Sequence, residues 1–91
     1  MSEARGKFLI VNKLGMHARA ATKLVQTASR FKADIQVQKD GHSANAKSVM
    51  GVLLLCGHQG SSVEVSAQGE DAEEAVRTIG ELIDNRFGES S

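Results

Sequence analysis

Apolar residues recur with helical spacing in two long stretches of the chain. One stretch begins at Ala18 and the other at Ala72. Spacings of three and four residues place such side chains on one face of a helix, while the polar residues between them face solvent. The pattern predicts two amphipathic helices. Their apolar faces comprise Ala21, Leu24, Val25, Ala28 and Phe31 in the first, and Ala72, Ala75, Val76, Ile79, Leu82 and Ile83 in the second.

Strict alternation of apolar and polar residues marks two other stretches, 33–37 and 63–67. A period of two is typical of a strand with one buried face. The short β-rich run 8–11 predicts a further strand. Asp40-Gly41 is a tight-turn signal, after which residues 43–46 are expected to return as a short edge strand.

Residues 49–55 are apolar nearly throughout and predict a third, shorter helix. Ser48 stands where an N-cap would, because its hydroxyl can accept a hydrogen bond from a free amide of the next turn. A helix this short cannot bury all its sides, and exposed apolar clusters usually mark contact surfaces. The residues expected to remain partly exposed are among Val49, Met50, Leu53 and Leu54.

The predicted order of elements is β-α-β-β-α-β-α. Half-polar strands can leave one face of a sheet open while helices cover the other, so we expect an α+β, open-faced, two-layer sandwich. The length of 91 residues suits one domain, 1–91, with an ordered core over about residues 7–88. Glu89 and the two serines after it are expected to form a frayed tail.

Composition and charge exclude several classes of function. Eleven basic residues balance eleven acidic ones, and the chain has no Trp or Tyr, so it lacks the charge and the stacking surface of a nucleic-acid binder. With Cys56 as its single cysteine it can form no internal disulfide, which suits the cytosol. No apolar run has the length of a signal or membrane segment, so we expect a cytoplasmic protein without membrane insertion.

His17 is the candidate for chemistry, because it lies where the first strand ends and a helix begins. Gly15 frees the backbone there, and the open amides of a helix N-terminus can bind phosphate oxygens. Arg19 adds a cation that can hold two oxygens, and a neutral imidazole nitrogen can act as a nucleophile. The residues alone leave two interpretations open, phosphoryl chemistry at His17 or an ordinary surface histidine in a loop.

Other polar groups are weaker candidates. Cys56 and His58 have a Cys-x-His spacing, but structural zinc needs four ligands, so we expect no metal and take His42 and His58 as solvated loop residues. The acidic cluster at residues 70–74 is expected to be the first turn of the last helix. No glycine-rich loop with a P-loop lysine is present in the sequence, so no nucleotide cofactor is expected.

Two motifs, NKLGMHAR at residues 12–19 and AKSVMGV at 46–52, together with the order of elements, resemble the HPr family. This family comprises small phosphocarriers of the bacterial phosphoenolpyruvate-dependent phosphotransferase system. The resemblance covers about residues 7–88. It implies an antiparallel sheet of strand order 1-4-2-3 under three helices, in a protein phosphorylated stoichiometrically instead of one that turns over a metabolite.

By this resemblance His17 is the phosphoacceptor, taking a phosphoryl group on Nδ1 from enzyme I and passing it to an enzyme IIA component. Arg19 would neutralise the phosphoryl charge. We expect a monomer whose partners dock transiently on an apolar patch ringed by basic residues. The residues expected to contact partners are Met16, Ala20, Lys23, Lys47, Val49, Met50 and Leu53, with Lys13 and Arg19 completing the basic ring.

Three features leave alternatives within the family. The serine matching Ser48 is phosphorylated by HPr kinase/phosphorylase in many Gram-positive and some other bacteria, a role compatible with an N-cap. Ala20 stands where the family commonly has proline, a loss expected to loosen the turn by at most about 1 kcal/mol. Ala18 and the apolar second helix are similar to the nitrogen-related branch, NPr, so sugar uptake is one of two possible pathways. The alternative function is a non-catalytic regulatory module controlled through Ser48.

Overall fold

The computed structural model describes residues 2–55 and 57–91 of the chain. The strands and helices follow one another in the predicted order, and a short 3-10 turn follows the last helix. The elements are β1 (Glu3–Leu9), α1 (Ala18–Ala28), β2 (Asp34–Lys39), β3 (His42–Asn45), α2 (Val49–Leu54), β4 (Ser62–Gln68), α3 (Ala72–Asp84) and the 3-10 turn Arg86–Gly88.

Within the described residues, four antiparallel strands form one sheet in the order β1-β4-β2-β3, accompanied by three helices. The sheet has one polar face and one apolar face, because inward and outward residues alternate along each strand. In β4, for example, Val63 and Val65 are buried while Glu64 is partly exposed. The α+β open-faced sandwich and its strand order are therefore confirmed.

Phe8 shows how β1 packs against α3. An added Cβ at Gly6 would lie 2.6 Å from the Phe8 ring, and one at Gly80 would collide with the same ring. The two glycines thus leave the space that the ring occupies. A side chain at either position would meet the ring, so glycine is the residue that fits there.

The prediction for the first strand was wrong in its bounds, since β1 covers Glu3–Leu9 and not residues 8–11. Its seven residues pair with β4, from Glu3 opposite Gln68 to Leu9 opposite Ser62. The inward positions before Phe8 are occupied by Ala4 and Gly6, which are too small to give a clear apolar alternation. The first strand thus begins before residue 7, at Glu3.

The prediction of a frayed tail was also wrong at its first residue. Phe87 is completely buried, and its carbonyl accepts a hydrogen bond of 2.7 Å from the Lys23 ammonium group. The amide of Glu89 bonds to the Arg86 carbonyl at 2.9 Å. The segment after α3 is therefore held against α1, and Glu89 has a defined position.

Asp71 has a structural role that the sequence did not reveal. It was expected in the first turn of the last helix, but it stands one residue before α3, and its carboxylate accepts hydrogen bonds from the amides of Lys32 and Ala33, both at 2.9 Å. The bond from the Lys32 amide is the main reason why the pKa of Asp71 is lowered. Asp71 thus ties the loop after α1 to the start of α3.

The two remaining histidines lie on the surface. His58 is an exposed loop residue, as predicted, whereas His42 is exposed at the start of β3 and not in a loop. Cys56 lies outside the described residues, so the expectation that it binds no metal stays a prediction. Among residues 2–55 and 57–91, no helix has the length and apolar character needed to cross a membrane.

Candidate functional site

His17 is the N-cap of α1, in an extended conformation with φ −89° and ψ −179°. Its Nδ1 accepts a hydrogen bond of 3.2 Å from the backbone amide of Arg19. The imidazole thereby does what a serine or aspartate side chain usually does at this position, satisfying one of the free amides of the first turn. His17 Nδ1 lies directly at the positive end of the helix.

Gly15 is required by the turn that brings His17 to this position. Its φ is +67°, and an added Cβ would lie 2.6 Å from the Gly57 carbonyl oxygen. The same carbonyl accepts a hydrogen bond of 2.7 Å from the Met16 amide. The loop after α2 is therefore packed against the turn before α1, which leaves no room for a side chain at Gly15.

Glu89 completes the surroundings of His17 from the other end of the chain. Its carboxylate has two partners: Oε2 bonds to His17 Nε2, and Oε1 accepts from the Asn12 side-chain amide at 2.9 Å. Asn12 is fully buried and also donates to the Gly15 carbonyl at 2.8 Å. The three side chains form one continuous polar cluster.

The hydrogen bonds of His17 assign its neutral tautomer. A backbone amide can only donate, so Nδ1 must be the unprotonated, accepting nitrogen. An ionised carboxylate can only accept, so Nε2 must carry the proton. The assignment follows from the partners on both sides of the ring. The unprotonated nitrogen is thus Nδ1, whose lone pair accepts the hydrogen bond from the Arg19 amide.

The environment keeps the Glu89 carboxylate ionised. The hydrogen bond from Asn12 is the largest cause that lowers the pKa of Glu89, with smaller contributions from His17 and Arg19, and these outweigh the effect of burial. Exposure differs across the pair, since the side chain of His17 keeps 26% of its accessible surface and that of Glu89 keeps 12%. The ring is therefore reachable from solvent while the carboxylate is mostly enclosed.

Arg19 lies on the first turn of α1 and is exposed. Together with Leu14, Lys23, Gly88 and Glu89 it lines a shallow groove of about 430 Å³, which is completed by Ser90 and Ser91. A guanidinium at this place adds a second set of donors beside the helix amides. These donors lie beside the amide that bonds to His17 Nδ1.

Comparisons with known proteins show the family of the chain. A family model described as "PTS HPr component phosphorylation site" matches residues 4–85. The phosphocarrier protein HPr of Xylella fastidiosa (strain 9a5c) is 45% identical over 85 residues, covering 93% of this chain and 96% of its own. The chain belongs to the HPr family. The resemblance noted from the two sequence motifs is thus confirmed.

Two further relatives indicate how broad the match is. The phosphocarrier protein NPr of Shewanella violacea is 41% identical over 91 residues, covering 100% of both chains. A crystal structure of HPr-C-His from Thermoanaerobacter tengcongensis superposes with a TM-score of 0.91, at 46% identity and 100% coverage of both chains. Both HPr and NPr proteins are therefore similar to this one, and membership is consistent with a phosphocarrier role in the phosphotransferase system.

In this HPr-family protein, two residues expected to contact partners face inward. Met16 retains 6% of its accessible surface and Ala20 none. Met16 belongs to the core cluster beside the loop after α2, and Ala20 lies on the buried side of α1. Both side chains therefore pack on the inner side of the turn, and other residues form its outer surface.

The exposed apolar surface is formed mainly by α2. Met50 retains 66% of its accessible surface, Leu54 72% and Val49 37%, while Leu53 is partly buried against the core. Leu14, with 70%, adds a fourth exposed side chain in the turn before His17. Leu14 was not recognised from the sequence, although a leucine next to a glycine in a turn is a signal that could have revealed it.

The expected ring of basic residues is only partly free. The ammonium group of Lys23 donates to the Phe87 carbonyl, and that of Lys47 donates to the Phe31 carbonyl at 2.8 Å. Lys13 and Arg19 are exposed. Lys23 and Lys47 would each have to give up a hydrogen bond to reach a partner.

Ser48 is the N-cap of α2, as predicted. Its Oγ accepts a hydrogen bond of 3.1 Å from the Gly51 amide, and its backbone is extended, with φ −118° and ψ 112°. The serine is half-buried, and it stands directly before the exposed residues Val49 and Met50. Any group added to its hydroxyl would therefore lie beside the apolar surface.

Proposed function

We propose that His17 accepts a phosphoryl group on Nδ1 from phosphorylated enzyme I and passes it to an enzyme IIA component. The observation that carries this proposal is the state of the ring, whose Nδ1 lone pair lies at the N-terminus of α1 while Nε2 is bonded to Glu89. A nucleophile needs an available lone pair, and the transferred group needs donors around its oxygens. The site supplies both.

In the proposed transfer, the lone pair of Nδ1 forms a new bond to phosphorus as the bond between phosphorus and the donor, phosphorylated enzyme I, breaks. The electron pair of the broken bond stays with the donor. The Arg19 amide, released from Nδ1, would then donate to a phosphoryl oxygen, as would other free amides of the first turn. The Arg19 guanidinium would balance the added negative charge.

We further propose that partners dock on the exposed apolar residues of α2 and on Leu14. The hydrogen bond from the Met16 amide to the Gly57 carbonyl, which joins the turn before α1 to the loop that follows α2, supports this proposal. Lys13 and Arg19 would favour a partner with an acidic surface and increase its rate of association. A relay needs such short-lived complexes, and a small patch suits them.

The decisive experiment is phosphorylation in vitro. The protein is incubated with phosphoenolpyruvate and enzyme I of the same organism, and its mass is measured before and after mild acid. We expect one acid-labile phosphoryl group on the wild type and on His58→Ala, a matched variant of another exposed histidine, and none on His17→Ala. An unmodified wild type, or a modified His17→Ala, would contradict the proposal.

The second candidate function is a regulatory module controlled through Ser48, in which His17 transfers no phosphate. It is favoured by the position of the serine at the edge of the apolar surface, where a phosphate would place about two negative charges. The two functions are compatible in one protein. Incubation with an HPr kinase/phosphorylase would test the second one, because only modification of Ser48 gives a phosphate that is stable to acid.

The cellular context is also proposed. Matches to both HPr and NPr proteins leave sugar uptake and nitrogen-related regulation as the two pathways. We propose a cytoplasmic monomer in which residues 1–91 form one HPr-like domain. Sedimentation measurements would test the monomer, and the acceptance of phosphate by purified enzyme IIA proteins of each pathway would distinguish the two roles.

A further inference from the structure

We infer that Glu89 is a positioning residue for phosphoryl transfer: held in place by Asn12, it keeps the proton of His17 on Nε2 and so leaves Nδ1 free to react. This inference rests on the proposed transfer to His17. It assigns a role to a residue at the C-terminal end of the chain, 72 positions away from the histidine.

The position of the carboxylate is determined by several contacts. Asn12 bonds Glu89 Oε1, and the amide of Asn12 is itself oriented by its bond to the Gly15 carbonyl. Turning that amide over would place an oxygen against the carbonyl of Gly15. Because Asn12 is fully buried, the arrangement has little freedom. The second carboxylate oxygen, Oε2, is thus held toward His17 Nε2.

The chemistry explains why such a carboxylate would matter. When Nδ1 forms its bond to phosphorus, the ring retains the proton on Nε2 and acquires a positive charge. Glu89 faces that charge from the side of the ring opposite to the phosphoryl group. A carboxylate behind a reacting histidine fixes the tautomer and stabilises the imidazolium, as in serine proteases. Both effects would favour transfer to Nδ1.

Replacement of Glu89 by glutamine gives a sharp test of the tautomer. Asn12 and Nε2–H both donate to the carboxylate, but glutamine offers one oxygen and one NH₂ group. If the oxygen stays with Asn12, the NH₂ group faces Nε2 and favours the proton on Nδ1, the nitrogen that must react, at the cost of the hydrogen bond that Nδ1 accepts from the Arg19 amide. Glu89→Ala removes both contacts and leaves the ring to solvent.

The tautomer can be read directly from long-range ¹H–¹⁵N spectra of the imidazole at mildly alkaline pH. We expect an unprotonated Nδ1 in the wild type and in Glu81→Gln, a matched change at an exposed position of α3. We expect a measurable fraction of protonated Nδ1 in Glu89→Gln, where the Arg19 amide opposes that proton, and a smaller fraction in Glu89→Ala. If Glu89→Gln gives the same spectrum as the wild type, the inference is wrong.

Reaction with phosphoramidate tests the chemical consequence without enzyme I. In this reaction the phosphorus–nitrogen bond of the reagent breaks, ammonia leaves, and a new bond forms to a ring nitrogen. We expect modification at Nδ1 in the wild type and in Glu81→Gln. In Glu89→Ala we expect modification at Nε2 as well, because that nitrogen is no longer covered.

For Glu89→Gln we expect modification of Nδ1 to slow by at least about tenfold, less than the ~10⁴ lost when an amide replaces the triad aspartate of a serine protease. The loss is smaller because His17 is partly exposed and water can exchange its proton. Wild-type rates at Nδ1 in both Glu89 variants would overturn the inference. A wild type that enzyme I cannot phosphorylate would instead contradict the proposed function, since neither measurement here uses enzyme I.

Discussion

The side-chain amide of Asn12 lies 2.9 Å from the carboxylate of Glu89, although 77 positions separate the two residues. This bond joins the turn before α1 to the segment that follows α3. Since Glu89 also bonds to His17, the state of the imidazole depends on how the C-terminal segment packs. Stability of that segment and chemistry at the histidine are therefore coupled.

Phe87 is the anchor of the C-terminal segment, and its removal should release Glu89. We expect Phe87→Ala to lower the free energy of unfolding by about 3–5 kcal/mol, because it empties a fully buried site. The positive φ values of Arg86 (57°) and Phe87 (54°) cost energy that this burial offsets. Urea unfolding measures the loss, and the imidazole spectrum reports whether Glu89 still contacts His17.

Phe31→Ala is the matched control for this experiment, because Phe31 is only partly buried and lies in the loop after α1. We expect it to destabilise the protein less and to leave the His17 spectrum unchanged. A Phe87→Ala protein with nearly wild-type stability would show that the segment is held by other contacts.

Glu89 should make stability depend on pH in a defined direction. Hydrogen bonds from Asn12 and His17 lower the pKa of Glu89 in the folded protein below its ordinary value of 4.5. The resulting stabilisation is fully present above the ordinary pKa and is lost as pH falls through the lowered one. We therefore expect the difference in unfolding free energy between the wild type and Glu89→Gln to shrink as the pH falls below the ordinary pKa of 4.5.

Chemical denaturation at a series of pH values measures this difference. Glu81→Gln, which alters an exposed carboxylate, should give no comparable trend. A difference that stays constant or grows as the pH falls in that range would show that the carboxylate of Glu89 is not favourably held in the folded state.

Ser48 combines a cap with a candidate phosphorylation site, and two substitutions separate these roles. Ser48→Ala removes the bond to the Gly51 amide and should lower the unfolding free energy by about 1 kcal/mol. Ser48→Asp keeps a good capping group and adds a negative charge, so stability should remain close to the wild type. Thermal unfolding tests both expectations.

The same pair of variants tests whether charge at Ser48 controls docking. We expect Ser48→Asp to weaken the affinity for enzyme I several-fold, because the charge lies beside the apolar surface and faces an acidic partner. Ser48→Ala should bind nearly as the wild type does. Equal affinities of the aspartate and alanine variants, measured by calorimetric titration, would argue against control by charge.

Met50 is the most direct test of the docking surface. Its side chain is 66% exposed, so Met50→Glu should leave the fold intact while it weakens enzyme I binding by at least about tenfold, as expected for a contact in the centre of an interface. Gln36→Glu, which adds the same charge on the open face of the sheet, should have little effect. Unchanged affinity of Met50→Glu would remove Met50 from the docking surface.

The order of elements and the N-cap at Ser48 were determined by the sequence alone. Helical and strand periods, the Asp40-Gly41 turn and the Ser48 cap involve residues a few positions apart, and the structure has all of them, with φ values of 51° and 82° in that turn. Local patterns of this kind are fixed by backbone geometry and by the burial of one face.

Only the tertiary structure decided which groups surround His17. The start of β1 follows from pairing with β4, and Met16 is buried because the loop after α2 covers it. The contact of Glu89 with His17 depends on the packing of Phe87 and on the buried amide of Asn12. Contacts between residues more than 70 positions apart arise when whole elements pack together, so no periodicity or spacing in the chain encodes them.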